Sequence, residues 1–404
     1  MNVDSFFRTI NLLETLLLSR LDSFSKTHIP LHFSLPLPSL EVELLDLLNA
    51  CTMDDTIYFK SHNDDSETIT FGVNTKFSTT LSKSKECFSK ISQLNKDPLS
   101  RFYSILSFHK NDSVKDQFWS NLNESIFIQP FIEIVKKKNH EMIMFIHYSS
   151  QKNKLHDYVQ SFFEQLREKI SIIPENADTS FKLTQMPGKH DWEKNLNKAI
   201  KKMKTGSLQK VVLSRKTIAT FKHAINGRKL MKRFYKKEQN CSVFYYQQNQ
   251  ESAFFSITPE KLFLRQEDYI EVDAIAGTRS ISDNGFYAGE LLSSTKDHLE
   301  HELVIQGIIH NLHHVSKNVK IKYKHQLVKL KKVQHLKTLI TATLTKESDD
   351  YEIIKHLQPT AAICGTPRKK AQTFIAETEQ FNRGFYTGVA GLMSKNYSEF
   401  LVLI

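Results

Sequence analysis

Lys210 sits in "LQKVVLSRK" (208–216), an apolar, β-branched run. If the run is a strand, Val211 and Leu213 face one way while Lys210, Val212 and Ser214 face the other. A lysine projecting from a rigid sheet into a pocket loses hydration, its pKa falls, and it becomes usable as a base. A surface lysine on a sheet edge is the ordinary alternative. Glu260 lies in "FFSITPEKLFLR" (254–265). Locally, Thr258-Pro259-Glu260 reads as a helix start, with Glu260 in the first turn where the dipole suits it. The chemical reading is a carboxylic acid held at a strand end, able to protonate a leaving group.

In "STKDHLEHELVIQGI" (294–308) the spacing predicts a helix on which Asp297, Glu300 and His301 share a face. Two carboxylates there could offer oxygens to Mg²⁺, which keeps waters and binds through substrate anions; a solvated polar face fits the same spacing. "EVDAIAGTRS" (271–280) ends a strand in Gly277-Thr278, where exposed backbone N–H groups could bind a carboxylate. A plain turn fits equally. His335, in "VQHLKTLITATL" (333–344), reads alone as a core histidine. "LQPTAAICGTPRKKA" (357–371) and "FNRGFYTGVAG" (381–391) concentrate Pro, Gly, Thr and Arg, as a loop lining a substrate would.

These residues need rigid elements behind them. Of 12 glycines, eight fall from Gly277 onward, which places the sharp backbone turns in the second half. That half alternates helices and strands: a helix over 191–206 with Asp191 as N-cap, then strands over 208–220, 252–257, 268–278 and 384–393. The closing "SEFLVLI" (398–404) is a buried strand. In the first half, Phe6, Ile10, Leu13, Leu17 and Leu21 recur at helical spacing. "EMIMFIHYSS" (141–150) reads as a strand, 154–170 as an amphipathic helix, and 174–191 as a polar connection. The expected fold is α+β, with large antiparallel β-sheets packed as a sandwich and helices outside. Residues 1–185 form its variable first half and 186–404 the catalytic region.

The chain has 404 residues, is 40% hydrophobic and 25% charged, and buries a real core. Four scattered cysteines without a CxxC pair argue against a zinc site or disulfide framework and for a reduced, cytoplasmic setting. The N-terminal apolar run is interrupted by Arg8, Glu14 and Arg20, so it is neither a signal peptide nor a membrane span. The net charge of +11 speaks to partners. No zinc-finger, RNP-type or basic-zipper pattern accompanies it, so a small anionic substrate is expected, with no nucleic acid or membrane partner.

The order of the motifs is more specific than any one of them. "KVVLSR", "TPEKL", "AGTR", "KDHLEHELV", "VQHLKT", "PTAAICGTPRKKA" and "FNRGFYTGVAG" follow one another as in the chorismate-utilising enzymes, and the chain most resembles the isochorismate synthases of menaquinone or siderophore pathways. The resemblance runs through 186–404 and thins in the first half. It implies a monomeric enzyme converting chorismate to isochorismate with Mg²⁺. It implies Lys210 as the base activating water at C2 and Glu260 as the acid protonating the C4 hydroxyl. Glu300 would be a Mg²⁺ ligand, with Asp297 helping from behind the ligands or through water. Gly277 and Thr278 would contact the ring carboxylate, His335 would sit beside the ring, and Cys364 and Gly365 would line the pocket. Lys210 stands where anthranilate synthases carry glutamine, and Ala276 where aminodeoxychorismate synthases carry a nucleophilic lysine, which favours oxygen over nitrogen chemistry. Salicylate synthase, which eliminates pyruvate from isochorismate, is the nearest alternative.

Two departures stand out. "LQPTAA" replaces the family's "LHPTPA" at Gln358 and Ala361. The family pattern also continues beyond "VLI" into an arginine, an "AGAGIV" strand and a helix with a second metal-binding glutamate and a lysine. None of these lies within the 404 residues. The resemblance therefore implies a C-terminally incomplete catalytic region, with little turnover by residues 1–404 alone. A non-catalytic remnant of the same fold is the rival reading.

Overall fold

The computed structural model describes residues 3–22, 31–40, 42–50, 53–63, 65–108, 116, 118–119, 122–149, 155–168, 180–235, 240–281 and 286–404. The first half runs α1 (Val3–Asp22), β1 (Leu31–Leu37), α2 (Leu44–Ala50), β2 (Thr56–Lys60), β3 (Glu67–Thr79), α3 (Ser84–Leu94), β4 (Arg101–Leu106), β5 (Ser125–Lys136), β6 (Met142–Tyr148) and α4 (Leu155–Glu168). There follow β7 (Phe181–Met186), α5 (Lys189–Lys204), β8 (Lys210–Val211), β9 (Lys216–Phe221), α6 (Gly227–Tyr235), β10 (Ser242–Gln247), β11 (Ala253–Thr258), β12 (Lys261–Gln266) and β13 (Tyr269–Ser280). The chain closes with α7 (Phe286–Ser293), α8 (Thr295–Leu312), β14 (Ser316–Lys329), β15 (Val333–Leu344), α9 (Asp350–Leu357), β16 (Gly365–Thr366), α10 (Arg368–Thr378), β17 (Val389–Ser394) and β18 (Tyr397–Val402).

Fourteen strands pair into one sheet, in the order β11-β10-β2-β3-β5-β4-β17-β18-β12-β13-β15-β14, with β6 on β5 and β1 on β6. Residues 1–185 and 186–404 share it, since β10 pairs with β2 and β17 with β4, both antiparallel. Strand alternation divides the core. On β2 and β10, Tyr58, Val243 and Tyr245 face helices α1, α2 and α4, together with Phe6, Ile10, Leu13 and Leu17. Their neighbours Ile57, Phe59, Phe244 and Tyr246 face the other way, into a core shared with β4, β17 and β18. A third cluster places α8 and α9 against β12, β13 and β15. This is the α+β arrangement expected, with large antiparallel sheet and outer helices. No helix among the described residues is long and apolar enough to cross a membrane.

Several local expectations are corrected. The 174–191 connection contains β7, whose ladder with β9 compensates for its exposed side chains; residues 174–179 lie outside the described set. Helix α5 starts at Lys189 with Gly188 as N-cap, which puts Asp191 inside the first turn. Residues 384–388 turn before β17 begins, with Gly384 and Thr387 both at positive φ. Thr258-Pro259-Glu260 starts no helix. The Glu260 N–H donates to Thr258 Oγ1 at 3.1 Å and its carbonyl accepts from the Val402 N–H at 3.0 Å, which carries the chain straight into β12. The run 208–220 is two strands, broken at 212–215.

Candidate active site

Lys210 is held by a two-residue ladder rather than a long strand: β8 pairs with β16, setting Lys210 opposite Thr366 and Val211 opposite Gly365. Gly365 has φ +144°, and a Cβ there would collide with the Lys210 carbonyl oxygen and come within 2.9 Å of Ala371 Cβ. Only glycine lets the two backbones approach this closely. The Lys210 side chain is 9% exposed. Its Nζ donates to the Ala361 carbonyl at 2.8 Å and lies 3.2 Å from Glu300 Oε1. Burial lowers its pKa, against the pull of Glu300 and Glu260.

Glu260 comes from the β11–β12 link and is 4% exposed, with no hydrogen-bond partner for Oε1 among the described residues. Burial pushes its carboxyl up to about 8, with Asp273 adding to the rise and Lys210 opposing it. Asp273, on β13, is buried and paired with Lys337 of β15 at 2.7 Å. The two groups nominated as base and acid therefore share one desolvated neighbourhood. Their shifts run in opposite senses, with the amine toward neutrality and the carboxyl toward protonation.

Gly277 has φ +78° and occupies a bulge in β13 that leaves Thr278 opposite His335 on β15. Thr278 Oγ1 and His335 Nδ1 are hydrogen-bonded at 2.9 Å. Burial lowers the His335 pKa, opposed by a hydrogen bond with the Gly277 backbone. Cys364 is fully buried among Leu208, Ala371, Phe374 and Ile375, and burial pushes its thiol up to about 12. Its side chain packs this small apolar core, while Gly365 makes the close approach.

The three α8 residues that share a face have three different partners. Glu300 turns to Lys210. Asp297, 3% exposed, pairs with Arg279 at 2.5 Å. His301 is buried on Thr338 at 2.8 Å, and burial takes its pKa down to about 4, as expected of a neutral core histidine. No cluster of three or more His, Cys, Asp or Glu among the described residues could enclose a metal ion. Glu300, with its side chain 37% exposed, fits the one-carboxylate share of a Mg²⁺ site completed by water and substrate anion. Asp297 is already neutralised by Arg279 and does not fit as a direct ligand.

Sequence reasoning missed Asp273 and Lys337, which set the surroundings of Glu260. A lone aspartate inside the apolar "EVDAIAG" was the available signal, since buried charge demands a partner. It also missed the Ala361 carbonyl and the Arg383–Glu379 pair, whose i,i+4 spacing does not by itself announce that the pair is buried. Two open cavities, of about 390 and 430 Å³, lie elsewhere: one beside Phe255, Val333 and Ile404, the other between α5 and the end of α10.

The 14-stranded sheet thus surrounds two buried, electrostatically coupled groups, Lys210 and Glu260. The family model described as "Chorismate binding enzyme" matches residues 19–404, and the chain belongs to that family. Isochorismate synthase MenF of Haemophilus influenzae is 37% identical over 218 residues, covering 53% of this chain and 50% of that protein. MenF of Escherichia coli K12 is 33% identical over 259 residues, covering 63% and 59%. The chain thus spans little more than half the length of these relatives in the matched stretches. The solved structure of the menaquinone-specific isochorismate synthase MenF from Escherichia coli superposes with TM-score 0.83 at 26% identity, over 97% of this chain and 89% of that one. Anthranilate synthase component I from Streptococcus pneumoniae shares the fold, with TM-score 0.65 at 15% identity.

Proposed function

We propose that this protein is an isochorismate synthase. The observation that carries the reading is the buried Glu260 carboxyl, one oxygen unpartnered, coupled to the buried Lys210 amine in one site. The MenF relatives support it. In this reading Lys210 takes a proton from water as the oxygen attacks C2 of chorismate. Glu260, protonated at neutral pH, gives its proton to the C4 hydroxyl as it leaves. One water is added and one released, so the product is an isomer of the same mass. Lys210 ends protonated and Glu260 ionised, and exchange with solvent resets both. The bulge at Gly277 offers backbone donors to the ring carboxylate, with Thr278 held in place by His335. Glu300 would hold Mg²⁺, which when bound neutralises carboxylate charge. The protein would act as a cytoplasmic monomer, a setting that suits its free Cys87 and Cys364.

The test is incubation with chorismate and Mg²⁺, with products resolved by chromatography and mass. It is run on the 404-residue chain and on a chimera carrying the family's C-terminal segment after Ile404. Isochorismate from either supports the reading. Salicylate with pyruvate as the immediate product moves it to salicylate synthase. Anthranilate with ammonia, or no product from either protein, overturns it. In the active form Lys210→Ala and Glu260→Ala should each lose on the order of 10²-fold in rate.

A further inference from the structure

Arg383 and Glu379 form a buried ion pair, 3% and 5% exposed, just past the end of α10. The pair is bidentate: Arg383 Nε donates to Glu379 Oε2 at 2.8 Å and Nη2 to Oε1 at 2.6 Å. The guanidinium's other donors reach the Val212 carbonyl at 2.7 Å, the Ile363 carbonyl at 3.0 Å and Thr387 Oγ1 at 3.3 Å. Its planar face lies 4.6 Å from the centroid of the Phe108 ring. Glu379 Oε1 also accepts from Ser214 N at 2.8 Å and Ser214 Oγ at 2.9 Å.

These bonds converge on the segment that carries the proposed base. After β8, residues 212–215 leave the ladder, and side chains take over two of their backbone groups, the Val212 carbonyl and the Ser214 N–H. The Val212 N–H donates to the Cys364 carbonyl at 2.8 Å, while Arg383 takes the Val212 carbonyl and Glu379 the Ser214 N–H. Arg383 also grips Ile363, two residues from Ala361, whose carbonyl accepts the Lys210 amine. One guanidinium thus ties the backbone behind Lys210 to the loop that receives its side chain. A lysine in place of Arg383 could not reach these acceptors at once, because it lacks the planar fork of five donors. Exchanging a buried pair for apolar residues is often neutral for stability, so stability alone does not account for this one.

We propose that Arg383 and Glu379 are positioning residues for the reaction: they fix the Lys210 segment against the Ala361 loop and so hold the amine in its working place. This rests on the reading of Lys210 as the base. The experiment compares Arg383→Lys, Glu379→Gln and the milder Ser214→Ala with the parent chain. Arg265→Lys serves as a control, since Arg265 makes a similar clamp, on Asp350, Ser398 and the Ser394 carbonyl rather than on the Lys210 segment. Hydrogen exchange read by mass spectrometry reports on 209–215 and 361–366 without any turnover. Kinetics with chorismate are read in whichever form is active.

The expected result is faster exchange in both segments for all three variants, least for Ser214→Ala. The value of kcat falls about tenfold or more for Arg383→Lys while KM changes about twofold or less, as expected when a group is misplaced rather than removed. Arg265→Lys should lose thermal stability with neither change. Unaltered exchange at 209–215 in the variants overturns the proposal. So does faster exchange with kcat retained. If Arg383→Lys does not fold, Glu379→Gln and Ser214→Ala decide. Absence of turnover in every protein sinks the isochorismate reading, and with it the catalytic half of this proposal, while the exchange data still decide the clamp.

Discussion

Replacing Glu260 by glutamine should stabilise the protein, and the gain should grow with pH. Burial, reinforced by Asp273, lifts the Glu260 carboxyl from its ordinary 4.5 to about 8. The folded chain therefore keeps a proton that the unfolded chain releases above 4.5. With the folded pKa above the unfolded one, this group's contribution is most favourable below 4.5 and erodes as pH rises. The erosion levels off above about 8, where both states are ionised. Glutamine has nearly the same shape and carries no such penalty. Linkage puts the widening of the gap between pH 5 and pH 7 at about 2.5 kcal/mol, trimmed by the lost attraction to Lys210. Urea unfolding at pH 5, 6, 7 and 8, followed by the fluorescence of Trp119 and Trp192, measures it. The glutamine variant should unfold at higher urea than the parent, by a margin that increases up to pH 8. A protonated-carboxyl infrared band, lost in the variant and titrating near 8 in the parent, gives a second readout. A margin that is flat or shrinks with pH would refute the burial argument, and with it the protonated acid at neutral pH.

Gly365→Ala should cost about 3 kcal/mol or more, because a methyl group meets the Lys210 carbonyl at a backbone φ that L-residues avoid; thermal melting with less than about 1 kcal/mol lost would show that β8 and β16 can move apart. Glu300→Gln should abolish any Mg²⁺-dependent rise in melting temperature while leaving the metal-free melting point within a degree or two; a retained Mg²⁺ response would remove Glu300 from the metal site. Glu133 is fully buried and accepts from Arg101 Nε at 2.8 Å and the Tyr103 hydroxyl at 2.5 Å. Glu133→Ala would strand the arginine, so it should lose about 3–5 kcal/mol in urea unfolding. Chorismate affinity should be unchanged in whichever form binds; a loss under about 1 kcal/mol would mean water enters the cavity.

What was legible in the sequence follows from how far apart the cooperating groups lie. The amphipathic helix over 154–170 was legible because Leu155, Val159, Phe162, Phe163 and Leu166 recur at helical spacing, and they form the buried face of α4. Helix α8 was legible from the spacing of Asp297, Glu300 and His301; the structure adds the Ser294 cap, whose hydroxyl accepts from the Asp297 N–H at 3.2 Å. The strand over 208–220 was overextended because its composition is right but its bonding is not. Val212 and Ser214 give their backbone groups to Arg383 and Glu379, more than 160 residues away, and no local pattern announces that. The helix expected at Thr258-Pro259 fails for a similar reason, since the Glu260 carbonyl is claimed by Val402.

The same separation explains why the site's residues could be nominated and their electrostatics could not. Lys210 and Glu260 are recognisable by type and by the order of the motifs around them. The shift on each is set by desolvation, and desolvation is a property of the assembled core. Glu260 is buried because the β11–β12 link passes beneath the end of β18, where Val402 holds its backbone, and beside β13, where Asp273 lies. Lys210 is buried because Gly365 lets β16 press against it. Neither effect can be read from a window of ten residues. A carboxylic acid ready to give a proton at neutral pH is thus made by the closure of the sheet, and a substitution that loosens that closure at Val402 should lower the Glu260 pKa without touching Glu260 itself.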